Sequence, residues 1–370
     1  MKETPSLPAG PDRVLVVYTG GTIGSMPRDP EDSTSPLVTV SWDEFRSRTS
    51  SLNPALADGR PNARYIGFPV DGASLEPLDS CNIGADYWTA IAGTISQNYD
   101  RYAGFVVLHG TDTMVYTASA LSLMLENLAK PVVLTGAQLS HLHNIRNDAL
   151  QNLLTALQFA NPALSGLPLV PEVSVFFGDV LLRGNRARKV TASGFNAFES
   201  PDYPLLARAG ERIIVHDRAV RPAPTGPLRL RTHLEPNVVA ISFFPGIQQG
   251  SLLPHILGDE SLRGIVLKTY GMGTVPSDER VLGPIAAAVR RGVVVVAVTQ
   301  CFGGRVDLGR YEAGSRLLEA GVISGFDITP EAALVKLMVL LGDPDLSPDV
   351  VRRLFQQDLA GELTVRQIPA

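Results

Sequence analysis

The sequence is short of several things, and each shortage closes off a class of function. It has two cysteines, Cys81 and Cys301, in 370 residues. Two thiols can build neither a disulfide framework nor a four-cysteine zinc site. No apolar run reaches the roughly 18 residues of a membrane span. No stretch concentrates lysine or arginine, and the formal net charge is −5, which argues against electrostatic binding of nucleic acid or an anionic membrane. Residues 1–12 lack the apolar centre of a secretory signal, so the expected compartment is the cytoplasm. No internal repeat or low-complexity segment stands out. What is present is apolar: hydrophobic residues are 45% of the chain. That is enough for sizeable cores, and the length suits about two domains.

Short apolar runs that end in glycine mark strands. Val14-Leu15-Val16-Val17-Tyr18 leads into Gly20-Gly21, Gly104–Leu108 into His109-Gly110, and Pro131–Leu134 into Thr135-Gly136. Unbroken apolar runs suit parallel strands covered on both faces. Helical spacing predicts helices over Asp86–Tyr99, Thr113–Leu128 and Asp148–Phe159. Strands alternating with helices predict a doubly wound α/β sheet. Residues 207–233 change character, with seven arginine and aspartate side chains among Pro222, Pro224 and Pro227. They read as a solvated linker with at most one short strand, Ile213–Val215. The α/β pattern then restarts, with strands at Val238–Phe244, Gly264–Thr269 and Gly292–Thr299 and helices at Leu282–Arg290, Ser315–Ala320 and Pro330–Leu341. The expected fold class is α/β: a larger N-terminal α/β domain (1–206), a linker (207–233) and a smaller C-terminal α/β domain (234–370).

Sites in open α/β sheets lie beyond the carboxyl ends of strands. Two polar clusters fall there. Tyr18-Thr19-Gly20-Gly21-Thr22-Ile23-Gly24 offers hydroxyls and a glycine pair that allows close backbone approach. Neither GxGxxG nor GxxxxGK[ST] is present, so a phosphate loop is not indicated. His109-Gly110-Thr111-Asp112-Thr113 opens a helix. Thr111 or Asp112 alone could be a plain N-cap, but the cluster exceeds what a cap requires, and a helix start supplies donors for a carboxylate or oxyanion.

Together the segments YTGGTIGS and HGTDTMVYTASALSLMLENLAKPVVLTGAQ resemble the bacterial-type L-asparaginase family, nearest its cytoplasmic type I branch. Leu182-Arg183-Gly184-Asn185-Arg186 with Lys189, Gly194–Pro201, Lys268–Gly273 and Thr299-Gln300-Cys301 extend the resemblance over nearly the whole chain. It implies hydrolysis of an amino-acid side-chain amide to a carboxylate and ammonia, with no cofactor and no metal. It implies Thr22 as nucleophile through an acyl-threonine intermediate, and Thr111, Asp112 and Lys189 as a second catalytic cluster. Gly21, Asp79, Ser80, Gly110, Thr111 and Asp112 would bind the substrate, Asp79 meeting its α-ammonium and Ser80 its α-carboxylate. Without the family, Asp79-Ser80 reads as a polar loop and Lys189 as part of a surface basic run. Cys81 stands where many members have serine and is expected to be a small filler. Lys268, Thr299 and Cys301 occupy positions of a possible effector site, although the family's arginine is Lys268 here and a further asparagine is Thr274; plain packing is the other reading. The family forms homodimers or homotetramers.

One departure stands out. The family usually carries a tyrosine on the loop after the first motif, and Ile23–Val40 has none. The polar, proline-rich Ser25–Pro36 is expected to be a mobile lid, and Tyr18 is either a substitute phenol or core. His141 and His143 make a weak metal pair. Two rivals are an amidase subunit of a tRNA-dependent amidotransferase, disfavoured because about 13 residues precede the first strand, and a non-catalytic asparagine-binding homologue, disfavoured by the retained hydroxyl pair.

Overall fold

The structure is a computed structural model and describes residues 11–29, 31–32, 34–56 and 59–365. Most of the N-terminal stretch 1–12 therefore lies outside the described residues. The first half runs β1 (Val14–Gly20), β2 (Ser25–Pro27), β3 (Leu37–Thr39), α1 (Trp42–Arg48), β4 (Val70–Leu78), α2 (Ala85–Gln97), β5 (Gly104–Leu108), α3 (Met114–Met124), β6 (Leu125–Glu126), β7 (Val132–Thr135) and α4 (Ala149–Ala160). It continues through α5 (Pro162–Ser165), β8 (Val173–Phe177), β9 (Val180–Arg183), β10 (Arg188–Lys189), β11 (Phe198–Glu199), β12 (Ala207–Ala209) and β13 (Ile213–Val215). An eight-stranded sheet takes the order β13-β12-β9-β8-β7-β5-β1-β4. The strands from β4 to β8 are mutually parallel, and β9, β12 and β13 extend the sheet by antiparallel pairing.

All seven residues of β1 are buried. Leu15 and Val17 face a core built with α2 and α3, while Val14, Val16 and Tyr18 face one built with α1 and α4. A strand covered on both faces has no use for polar alternation.

The second half adds β14 (Arg229–Leu230), β15 (Val238–Ser242), α6 (Leu252–Gly258), β16 (Gly264–Thr269), α7 (Glu279–Arg290), β17 (Val294–Thr299), α8 (Glu312–Glu319), β18 (Ile323–Ser324), α9 (Pro330–Leu341) and α10 (Pro348–Phe355). The four strands β15 to β18 form a parallel sheet in sequence order. Helices α6, α7 and α8 cover one face, and α9 and α10 the other. Helix α9 is buried on two sides. Ala333, Leu337 and Leu340 sit on the small sheet, while Val335 and Val339 enter the core that contains α3.

Two expectations need correction. Residues 207–233 hold three strands, not at most one. β12 and β13 form an antiparallel ladder, Ala207↔Val215 to Ala209↔Ile213, and β12 adds it to the edge of the large sheet. β14 pairs with β6. β13 is the expected Ile213–Val215; β12 and β14, Ala-Arg-Ala and Arg-Leu, are held by backbone pairing and carry no apolar run to mark them. The helix expected over Thr113–Leu128 ends at Met124, because Leu125 and Glu126 pair with Leu230 and Arg229 instead.

Candidate active site

The ends of β1 and β5 lie side by side, as their register Tyr18↔Leu108 requires. The Thr19 hydroxyl donates to the Leu108 carbonyl at 2.7 Å and ties them together. Beyond that tie, Gly20 and Gly21 adopt φ of +97° and +80°, a region that side chains other than glycine enter at a cost. A Cβ on Gly21 would stand 2.5 Å from the Gly110 nitrogen, and one on Gly110 would stand 2.6 Å from Ser80 Oγ. Three separate stretches, each with a residue expected in the site, are therefore in close contact, Gly21 against the Gly110 backbone and Gly110 against the Ser80 side chain. The Thr113 hydroxyl adds a 2.6 Å bond to the Ser80 carbonyl. Thr22, half-buried, opens a short 3-10 turn directly after the Gly21–Gly110 contact.

Lys189 reaches the same place from β10. Its Nζ donates to Thr111 Oγ1 at 2.8 Å and to Asp112 Oδ1 at 2.6 Å. Lys189 is mostly enclosed, with its side chain 17% exposed, while Asp112 is 67% exposed. Thr111 is buried. The ammonium is thus held between a carboxylate and a hydroxyl, and the Thr111 proton is left free to point elsewhere. Helix α3 begins just beyond, with no side-chain cap on its first N–H groups.

Behind Gly110 lies a buried chain of polar groups. Trp88 Nε1 donates to Thr117 Oγ1 at 3.0 Å, and Thr117 Oγ1 lies 2.8 Å from His109 Nε2. His109 Nδ1 lies 2.7 Å from the Gly110 carbonyl. A carbonyl only accepts, so Nδ1 carries the proton and Nε2 accepts from Thr117. Burial lowers the His109 pKa to about 4, which keeps the ring neutral and the chain intact near neutral pH. Neither Trp88 nor Thr117 has a sequence signal of its own; only the histidine at the end of an apolar strand hinted at this arrangement.

The other expected residues fall as follows. Asp79 is exposed and accepts the Cys81 N–H at 3.2 Å; Ser80 is buried. Desolvation and the Asp79 carboxylate push the exposed Cys81 thiol up, which disfavours a thiolate. Lys268 and Thr299 stand at the same end of neighbouring strands β16 and β17. The Thr299 hydroxyl accepts the Cys301 N–H at 3.1 Å. His141 stacks edge-on to Phe45 and lies 2.9 Å from the Thr49 hydroxyl. Among the described residues no group of three or more ligand-type side chains is placed to hold a metal ion.

Tyr18 is core. Its phenol donates to the Val40 carbonyl at 2.8 Å, its ring packs against Trp42 and Phe45, and burial pushes its pKa well above the usual phenol range. The Ser25–Pro36 segment starts as a hairpin, β2 pairing with β3, and Ser25 Oγ donates to the Gly21 carbonyl at 2.9 Å. Pro30 and Ser33 within it lie outside the described residues.

Comparison with known proteins agrees in both halves. Residues 13–221 match the family described as asparaginase, N-terminal, and residues 237–355 match the glutaminase/asparaginase C-terminal domain. L-asparaginase 1 of Escherichia coli is 40% identical over 356 residues, which is 95% of this chain and 98% of that protein. The 60 kDa lysophospholipase of Mus musculus is 40% identical over 370 residues, covering 96% of this chain; the chain spans 63% of that relative's length. The crystal structure of L-asparaginase I from Vibrio cholerae superposes with a TM-score of 0.82 at 37% identity, covering 96% of this chain and 100% of the other. With both of the family's domains present in order, the chain belongs to the asparaginase family.

Proposed function

We propose that this chain is an L-asparaginase, hydrolysing L-asparagine to L-aspartate and ammonia with Thr22 as nucleophile. The observation that carries this reading is the Lys189 ammonium bound to both Thr111 and Asp112; Thr22 follows directly on Gly21, which packs against Gly110. Amide hydrolysis needs a nucleophile, a proton route and donors for the developing oxyanion. Thr22 Oγ1 bonds to the amide carbon and its proton leaves. The tetrahedral intermediate expels ammonia with a proton gained from the site, giving an acyl-threonine ester. Water then cleaves the ester and restores the hydroxyl. The Tyr18 phenol is committed to the Val40 carbonyl, so Thr22 gives up its proton through the Thr111–Lys189 pair or a water. Asp79 and Ser80 are assigned to the substrate's α-ammonium and α-carboxylate, and the uncapped start of α3 to the oxyanion or carboxylate. The working form is a homodimer or homotetramer.

An ammonia-release assay against asparagine, glutamine and D-asparagine tests the reading, with lysophospholipid ester cleavage as the control suggested by the mouse relative. Thr22→Ala should keep the fold and lose turnover by orders of magnitude. Ammonia release at the parent rate from that variant would sink the nucleophile assignment.

A further inference from the structure

Lys189 sits on a strand that cannot hold itself. β10 and its partner β11 have two residues each, far less ladder than an isolated hairpin needs. Something else must fix the lysine. Of the six residues before it, Arg183, Asn185, Arg186 and Arg188 reach into the second half of the chain.

Arg183, Asn185 and Arg186 are at most 3% exposed. Among the described residues none of the three bonds to Thr111, Asp112 or Lys189; all three grip the segment after α10. Asn185 Nδ2 donates to the Ala360 carbonyl at 2.9 Å. Arg186 Nε donates to the Gly361 carbonyl at 2.7 Å and its Nη2 to Thr364 Oγ1 at 3.0 Å. Arg186 also pairs with Asp327 at 3.2 Å, and Asp327 accepts the Thr364 N–H at 2.6 Å. Arg183 pairs with Glu172 and reaches the Gly361 carbonyl at 3.4 Å. Gly361 has φ of +85°, and a Cβ there would stand 2.6 Å from Arg183 Nη1. The segment is itself built around a buried anion. Glu362 accepts the Ala360 N–H at 2.6 Å and pairs with Lys336 of α9, whose ammonium also holds the Phe355 and Gln357 carbonyls. Arg188 completes the grip, bonding the Cys301 and Phe302 carbonyls at 3.4 and 3.3 Å and pairing with Glu331 of α9 at 3.3 Å.

We infer that Arg183, Asn185 and Arg186 form a socket for the segment Ala360–Thr364, and that this docking, with the Arg188 contacts, positions Lys189 against Thr111 and Asp112. These are positioning residues, acting through Lys189. The Arg-Gly-Asn-Arg stretch, which the proposed chemistry leaves unused, thereby gains a role. Through it the second half of the chain sets the geometry of a lysine in the first. The catalytic part of this inference rests on the asparaginase reading, and the docking part does not.

The test is Arg186→Met in the full chain, with Arg186→Lys as the conservative variant. Hydrogen–deuterium exchange of residues 187–199 should quicken by about tenfold, while β1 and β5 keep their protection. The kcat for ammonia release should fall by about 10²-fold, as for an angstrom-scale misplacement of a reacting group, with KM within about threefold. Arg186→Lys should recover most of the loss. Arg186→Met combined with Lys189→Met should be no slower than Lys189→Met alone, whereas losses unrelated to Lys189 would multiply. A folded Arg186→Met with parent exchange and kcat, or a multiplicative double variant, overturns the inference. If Arg186→Met does not fold, Asn185→Leu and Thr364→Val, each removing one bond, carry the same measurements. Should the parent chain release no ammonia, the function reading fails by itself, and the exchange experiment still decides the docking.

Discussion

Gly21→Ala is the sharpest perturbation available. The new methyl would lie 2.5 Å from the Gly110 nitrogen, 2.7 Å from its Cα and 2.9 Å from the His109 carbonyl carbon. Ordinary contacts begin near 3.4 Å, so the two strand ends must part by roughly 0.9 Å, and both neighbours are backbone with no rotamer to give. The φ of +80° adds about 1–2 kcal/mol for a residue with a Cβ, and overpacking adds about 1–3 kcal/mol. The expected loss is therefore about 2–5 kcal/mol of stability. The parting moves Thr22 relative to Thr111, and a displacement near 1 Å between reacting groups costs about 10²-fold in rate. Gly67→Ala is the matched control: its φ is +96°, with nothing within 4 Å of the new methyl, so it carries the backbone cost alone and leaves turnover unchanged. Urea melts and ammonia release on both variants decide the matter. A Gly21→Ala protein as active as Gly67→Ala would refute the claim that backbone contact at this point sets the site.

On the proposed chemistry the ammonium acts on proton traffic and charge and not on grip, so Lys189→Met should lower kcat far more than it raises KM; a change confined to KM would remove Lys189 from the chemistry. His109 makes stability depend on pH. Its pKa is about 4 when folded against 6.5 ordinarily, so the stability of the neutral ring is fully present above pH 6.5. As pH falls from 6.5 to 4 the unfolded chain binds a proton that the folded one refuses, and about 3 kcal/mol is lost; a His109→Asn variant should show a shallower decline in urea melts over that window. Glu362→Gln should destabilise by about 3–5 kcal/mol, since it strands the Lys336 ammonium where both side chains are fully buried; a thermal melt within a degree of the parent would show the pair to be dispensable.

Much of this architecture is written in the runs. β1, β5 and β7 are apolar without interruption because helices cover both faces of the sheet, and their ends point straight to the two polar clusters. β4 is invisible by the same criterion. Its sequence, Val-Asp-Gly-Ala-Ser-Leu-Glu-Pro-Leu, alternates in burial at the sheet's edge, and Gly72 is there because a Cβ would stand 2.0 Å from Trp42 Nε1. The antiparallel turn from β8 to β9 is legible in Phe177-Gly178-Asp179-Val180, a two-residue hairpin with Gly178 at φ +65°, yet between Ala160 and Leu206 the periodicity alone assigns no strand. Lys189 illustrates the opposite limit. Without the family resemblance, four basic residues in seven positions look like a solvated surface; the fold buries Arg183 and Arg186 and turns Lys189 to Thr111. The fate of Tyr18 is equally a tertiary matter: the Val40 carbonyl that takes its phenol is 22 residues away.

Helix α9 is shared property. It lines the small sheet with one side and completes the α3 core with another, and the Glu235 N–H donates to its Met338 carbonyl. A fragment ending near residue 221 would open to water the face of α3 that Val335 and Val339 now cover, and a fragment starting near 237 would expose those two valines. Each would carry a sticky stripe complementary to the other. Co-expressed, the two pieces should find one another and rebuild the enzyme as a split protein, while neither piece expressed by itself should stay in solution.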